Sequence, residues 1–319
     1  MTNSINPARY RILLWEGDPQ EVVAARLDPQ SLADLHPLWK QDLEKFGPWQ
    51  RIGRAAAEDT GLGGGLWQAG CDADSPGIII CGPCNSAMDA AWQLCRKAAL
   101  HPWDCLLAVS QRAGRGQHNR TWFSPVGNLY AAWRWPDADA PAGPEWQGLL
   151  PLVAGELLAG YLSEQYGRSV RIKWPNDILV EGRKIGGILL EQQRGKFVTG
   201  IGLNLAVHPE DHMLRADFSP PATSFGSEGL QAGPLSFWTD FAARARQTFY
   251  RTLECFTPEQ WAQVFQSRMA WLGERVRVQE GRGECYCATI MGVASDGALM
   301  LQRGGTTHRI YTGSIIAAG

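Results

Sequence analysis

The sequence predicts an α+β fold: a mixed sheet with helices, followed by a small C-terminal β-barrel-like domain. Two patterns carry this. From residue 78 onward, short apolar runs interleave with longer segments whose apolar residues recur every three or four positions, the periods of strands and helices respectively. Over the last fifty or so residues the helical period stops, and short alternating runs are separated by Gly and Asp turns. At 319 residues the chain exceeds what one compact core usually holds, so more than one domain is expected.

In order, YRILLW (10–15) reads as a strand, and QEVVAARL (20–27) and SLADLHPLWKQDLEKF (31–46) read as helical. GLGGG (61–65) is not followed by Lys-Ser/Thr, so a flexible turn is expected rather than a phosphate cradle. GIIIC (77–81), CLLAVS (105–110), NLYAAWRW (128–135), VRIKW (170–174), DILVEG (177–182), KIGGILLEQQ (184–193) and FVTGIGLNLAV (197–207) are strand candidates. DAAWQLCRKAAL (89–100) and QGLLPLVAGELLAGYLSEQYG (147–167) are the helices among them. After a Pro-rich loop at FSPPATSF (218–225), FWTDFAARARQTFYRTLECF (237–256) and PEQWAQVFQSRMAWL (258–272) close the helical part. ERVRVQEG (274–281), CYCATIMGVAS (285–295), ALMLQRG (298–304) and HRIYTGSI (308–315) are the last strands, with a turn at SDGA (295–298). The expected organisation is an N-terminal extension at 1–77, a mixed-sheet domain at 78–270 and the β domain at 271–319.

The net charge of −2 gives no general attraction to phosphate backbones or anionic lipid. Arg9 and Arg11 are followed by no continuous apolar region, so no signal peptide is read, and no apolar run is long enough to span a membrane. A cytoplasmic protein with its eight cysteines reduced is the expectation. The fourteen tryptophans are read mainly as core or interface residues. His208 and His212 lie in a Pro-containing turn, and Cys285 and Cys287 alternate on one strand; neither pair is read as a metal site.

Three stretches suggest chemistry. IIICGPC (78–84) before a helical segment is how a thioredoxin-type motif reads, because a helix N-terminus lowers the pKa of the first thiol. No downstream unit with a facing cis-proline loop is legible, so Cys81 and Cys84 are expected to be packing residues. In QRAGRGQHNRTWFSPVGNLY (111–130), glycines bracket Arg115 where backbone can approach a ligand closely. Arg115, His118 and Arg120 supply donors for carboxylate or phosphate oxygens, and Trp122 and Phe123 supply flat apolar walls. In VRIKWPNDILVEGRKIGGILLE (170–191), Lys173, Asn176 and Asp177 bring a cation, an amide and a carboxylate to one corner. Asp177 suits Mg²⁺, and Gly186-Gly187 lets backbone close on a ligand.

Together, GRG-x-x-x-R-x-WFSP-x-GNLY, KWPNDILV-x-G-x-KIGGILLE and VTGIGLNL (198–205) resemble the three signature blocks of the biotin protein ligases, in the biotin/lipoate ligase superfamily. PPATSF (220–225) and SDGALML (295–301) extend the resemblance, which covers roughly residues 80–319. It implies a ligase-like catalytic domain with an SH3-like β-barrel at the C-terminus. The implied activity joins biotin and ATP into biotinyl-5'-adenylate and then transfers biotin to a lysine of a biotin carboxyl carrier domain. Carried over by position, Lys173 is the catalytic residue. Ser86, Gln111, Gly114, Arg115, Trp122, Gly187, Gly200 and Gly202 would form the biotin site. Gln117, Arg120, Asn176, Asp177 and Asn204 would serve ATP or the adenylate, with Asp177 the candidate Mg²⁺ ligand and the segment 206–220 ordering over the intermediate.

The chain departs from the pattern twice. Ser86-Ala87-Met88 stands where the family carries Ser-Thr-Asn, and Gln117 stands where it usually carries Arg, a residue that helps retain the adenylate. A lipoate or octanoate ligase or transferase of the same fold is the main alternative. From another class, a non-catalytic or thiol-regulated biotin or adenylate binder is the competing reading. No winged helix or basic recognition helix is readable in residues 1–77, so neither DNA nor membrane is an expected partner; a homodimer is left open.

Overall fold

The computed structural model describes residues 10–17, 27–62, 64–70, 75–117, 120–137, 143–214, 218–281, 283 and 285–318. Most of the expected helix at 20–27 therefore lies outside the described residues, as do Cys71 and His118. The chain divides into two compact units, one of Met1–Asp137, Leu189–Val207 and Ser224–Ala243, the other of Ala138–Ile188, His208–Thr223 and Arg244–Gly319.

The first unit contains β1 (Arg11–Trp15), α1 (Pro29–Leu35), α2 (Pro37–Phe46), β2 (Gln50–Ile52), α3 (Arg54–Asp59), β3 (Leu66–Ala69), β4 (Gly77–Cys81), α4 (Ala87–Arg96), β5 (Cys105–Ala108) and β6 (Leu129–Arg134). Strands β1, β4 and β5 run parallel to one another, while β2 pairs with β3, β3 with β1, and β5 with β6 antiparallel, which makes the sheet mixed. The run 31–46 is two helices rather than one. Proline cannot donate to a preceding helical turn, so α1 ends at Leu35; His36 then caps α2, its Nδ1 accepting from the Leu38 amide at 3.2 Å.

Strands β1, β4, β5 and β6 are buried on both faces, which is why they read as continuous apolar runs. On one face Ile79, Cys81, Leu106, Ala108, Tyr130 and Ala132 pack against Met88, Ala91, Trp92 and Cys95 of α4. On the other, Trp133 packs against Trp103 in a tilted contact and edge-to-face against Trp135, Trp238 and Phe241, at centroid distances of 5.1–5.9 Å. Full burial of each such side chain contributes about 1.5–3 kcal/mol. Asp42 of α2 accepts from the Leu235 and Ser236 amides, fixing the N-terminal segment to a later helix.

The second unit carries α5 (Leu150–Tyr166), β7 (Val170–Lys173), β8 (Asp177–Val180) and the first half of β9 (Arg183–Gln193). Strand β9 passes into the first unit, where β10 (Lys196–Leu203) pairs antiparallel with β6. Helix α5 stops at Gly167, whose φ of +62° is the left-handed conformation that glycine adopts without strain. α6 (Pro234–Cys255) and α7 (Pro258–Phe265) follow. The five C-terminal strands, β11 (Arg275–Gln279), β12 (Cys285–Val293), β13 (Leu299–Arg303), β14 (Thr306–Ile310) and β15 (Ser314–Ala317), form one antiparallel sheet in the order β14-β13-β12-β11-β15. That sheet is consistent with an SH3-like domain. The SDGA turn forms as expected, with the Ala294 amide donating to Ala298 and Gly297 at φ +85°. No helix among the described residues is long and apolar enough to cross a membrane.

Candidate functional site

The stretch after β4 is a scaffold for a ligand loop. Cys84 donates its amide to Ser110 and accepts from Arg112, and Asn85 accepts from Ala113. Residues 111–117 and 120–124 pair as the two arms of a small hairpin, in which Trp122 donates to Gly114 and Gly116 donates to Arg120, at 2.8 and 2.7 Å. Cys81 and Cys84 are buried and joined to no other cysteine among the described residues.

Helix α4 begins at this scaffold. Ser86 is its N-cap, yet the hydroxyl makes no capping bond, and it is 99% buried with no hydrogen-bond partner among the described residues. An unpaired buried hydroxyl costs about 1–3 kcal/mol, so such a group points to a ligand. Beside it, Gln111 accepts from the Ala87 amide at 2.8 Å and donates to Ser124 Oγ at 2.9 Å, joining the helix start to the hairpin base. A Cβ at Gly114 would lie 2.5 Å from Ser124 Oγ, so only glycine lets the chain pass there.

Val198, Gly200 and Gly202 alternate along β10 and share a face. A Cβ at Gly200 would meet Met88 Sδ at 2.9 Å, and one at Gly202 would meet the Trp122 indole at 2.6 Å. The glycines thus let Met88 and Trp122 lie directly against the sheet. Arg115 Nη2 lies 2.7 Å from Asp89 Oδ1, and its Nη1 lies 3.1 Å from Glu191 Oε1. The guanidinium expected to bind a ligand anion is therefore already between two carboxylates.

In the second unit, the β7–β8 hairpin sets Lys173 opposite Asp177. Lys173 Nζ donates to Asp177 Oδ2 at 2.8 Å and to the Phe218 carbonyl at 3.2 Å. Lys184 Nζ sits 2.5 Å from Asp177 Oδ1. Burial works to raise the Asp177 pKa, but the Lys184 and Lys173 ammoniums outweigh it and hold the carboxyl well below the usual carboxylate range. The Lys184 backbone is bracketed by Pro221 and Thr223, so the PPATSF segment borders the cluster. Gly187 registers opposite Asp177, and the Asn176 side-chain Nδ2 donates to the Ile188 carbonyl at 2.7 Å.

This arrangement bears on two expectations. With an ammonium on each oxygen, Asp177 does not fit a Mg²⁺ ligand, and no cluster of three metal-ligating side chains occurs among the described residues. Lys173, expected to be the reacting cation, is the more enclosed of the two lysines, with 8% of its side chain exposed against 22% for Lys184. Lys184 was missed although its GRKIGG context was in plain view, because a lysine on the strand after a turn gives no local sign that it folds back to Asp177. Asn128 was missed too. Its Oδ1 accepts from the Ala206 and Val207 amides and its Nδ2 donates to the Val207 carbonyl, so it staples the root of the segment that begins at 206.

The other expected residues are found as follows. Asn204 is buried at the end of β10, its carbonyl accepting from Phe225. Gln117 and Arg120 stand at the hairpin tip, where the Arg120 amide donates to the Gln117 carbonyl. Residues 215–217 of the expected covering segment lie outside the described residues. His212 pairs with Glu210 on the surface.

A family model described as the biotin/lipoate A/B protein ligase family matches residues 82–207. A "Biotin--[acetyl-CoA-carboxylase] ligase" of Paracoccus denitrificans is 32% identical over 205 residues, covering 62% of this chain and 83% of that protein. The bifunctional ligase/repressor BirA of Escherichia coli (strain K12) is 38% identical over 118 residues, 35% of this chain and 36% of its own. Among solved structures, the biotin protein ligase from Aquifex aeolicus in complex with biotin and ATP superimposes with a TM-score of 0.62 at 23% identity, over 75% of this chain and 97% of that one. The biotin protein ligase from Leishmania major in complex with biotinyl-5-AMP gives 0.52 at 26% identity, over 75% and 99%.

Proposed function

The chain belongs to the biotin protein ligases, and on that premise we propose that it activates biotin with ATP and transfers it to a lysine of a biotin carboxyl carrier domain. The observation that carries the proposal is the enclosed Lys173–Asp177–Lys184 cluster. Two ammoniums around one carboxylate leave one net positive charge, suited to oxygens whose charge grows in the transition state.

In the first step a biotin carboxylate oxygen attacks the α-phosphorus of ATP and the bond to pyrophosphate breaks, giving biotinyl-5'-adenylate. In the second, the neutral amine of the carrier lysine attacks the mixed-anhydride carbonyl, AMP leaves, and the amine loses its proton. Lys173 meets the carboxylate and α-phosphate oxygens, with Lys184 beside it on the other Asp177 oxygen; Lys173 also reaches, through Phe218, the segment before PPATSF. Ser86 Oγ and Gln111 serve the polar edge of biotin, with Trp122, Gly200 and Gly202 as its walls. Asn176, Asn204, Arg120 and Gln117 serve the nucleotide. Mg²⁺, where required, would enter with the ATP phosphates, since Asp177 is not suited to hold it. The described part of residues 10–70 contributes β1 and β3 to the sheet beside β4.

The test supplies ATP, Mg²⁺ and biotin, lipoate or octanoate in turn and measures pyrophosphate release and label transfer to a carrier domain, with Lys184→Ala and Lys173→Ala as controls. Release with biotin alone, lost in Lys173→Ala and lowered in Lys184→Ala, is expected. Release with lipoate or octanoate but not with biotin would reassign the substrate.

A further inference from the structure

Arg115 has surroundings that its ligand-loop position does not require. It projects from the hairpin between Asp89, in the first turn of α4, and Glu191, on β9. The second Glu191 oxygen accepts the Trp92 indole N–H at 2.8 Å, so α4 also fixes the carboxylate that faces the arginine. Two carboxylates around one guanidinium sum to one negative charge, which repels a further carboxylate or phosphate rather than trapping it. The fork of an arginine is well matched to holding two carboxylates in fixed directions. Three separate elements are joined through this one side chain.

We propose that Asp89 and Glu191 are positioning residues for the ligation: through Arg115 they clasp the hairpin arm 111–117 against the start of α4, and Trp92 sets the Glu191 carboxylate for that task. The inference rests on the reading that biotin lies against this hairpin. It reassigns Arg115 from ligand donor to clasp. Its side chains are partly exposed, at 34% for Arg115, 44% for Asp89 and 22% for Glu191. Pairs of that kind are individually weak and screened by salt, so the clasp can open and close.

The test compares the isosteric variants Asp89→Asn and Glu191→Gln, and the double variant, with wild type. Hydrogen exchange at the Gly116 and Trp122 amides reads the hairpin directly, without any ligand. Exchange roughly tenfold faster in the double variant is expected, together with a biotin KM raised roughly tenfold while kcat stays within about twofold. Added salt should raise the biotin KM of wild type and not that of the double variant. Unchanged exchange overturns the clasp, and so does an unchanged KM in a variant whose hairpin exchanges faster. Should the double variant not fold, each single variant must show a smaller shift of the same kind. A wild type that releases no pyrophosphate with biotin would instead defeat the ligase reading, leaving exchange to decide the clasp.

Discussion

Gly202 and Trp122 share one space: a Cβ on Gly202 would come within 2.6 Å of the indole of Trp122. The Gly202→Ala variant must push the ring away from β10 or bend the strand. A loss of about 1–3 kcal/mol in urea unfolding is expected for such overpacking, with a raised biotin KM. Trp122→Ala removes the clash, so the two substitutions should couple: the double variant should be more stable than the sum of the single effects predicts. Strict additivity would show that the ring moves freely.

Asp177 supplies the negative charge between Lys173 and Lys184, and Asp177→Asn leaves the enclosed Lys173 without its counterion. Losing one partner of a buried pair costs about 3–5 kcal/mol, which urea unfolding would read near neutral pH. Its pH dependence has a definite sign. The folded-state pKa lies below the unfolded value, so the stabilisation is present above the ordinary carboxylate pKa and is lost as pH falls toward the depressed one. The stability gap between wild type and Asp177→Asn should therefore narrow on acidification below about pH 4. A gap constant across that range would mean that the carboxylate is not held by the lysines.

Asn128 pairs with both the amide and the carbonyl of Val207, and with the Ala206 amide. Asn128→Ala leaves those backbone groups without a partner, at about 1–3 kcal/mol for each that stays dry. Faster hydrogen exchange at Ala206 and Val207 is the expected local sign. Protection equal to wild type would mean that the backbone holds itself.

Alternation placed Gly200 and Gly202 on one face of a strand, and the KWPND turn placed Lys173 beside Asp177; both are short-range relationships that period and spacing encode. Lys184 and the Glu191–Arg115 pair depend on which strands become neighbours, and that is set by whole-sheet packing rather than by local pattern. The same limit applies to β1. YRILLW reads as a strand, but nothing in those six letters says that it lies between β3 and β4. Pro37 marked the break between α1 and α2 and was outweighed by the helical period on either side.

Cys81 and Cys84 are 0% and 2% exposed, whereas Cys255 and Cys285 are on the surface. A thiol reagent applied to the native protein should label Cys255 and Cys285 well before Cys81 and Cys84. Activity should be the same under mild oxidant and under reductant, because a buried thiol in apolar surroundings is a poor nucleophile. Early labelling of Cys84 with loss of activity would restore the thiol-regulated alternative.

Gln117 stands at the tip of the hairpin, in the place where the family usually carries the arginine that helps retain the adenylate. A glutamine offers dipoles and no charge, so a phosphate near it loses a charge-assisted hydrogen bond, a class about twice as strong as the neutral kind. Wild type should therefore release biotinyl-5'-adenylate quickly, and Gln117→Arg should lengthen its half-life on the enzyme by roughly tenfold, the equivalent of about 1.4 kcal/mol. Filter retention of labelled adenylate after a chase with unlabelled biotin and ATP measures this. Equal half-lives would mean that the tip residue has no part in retention.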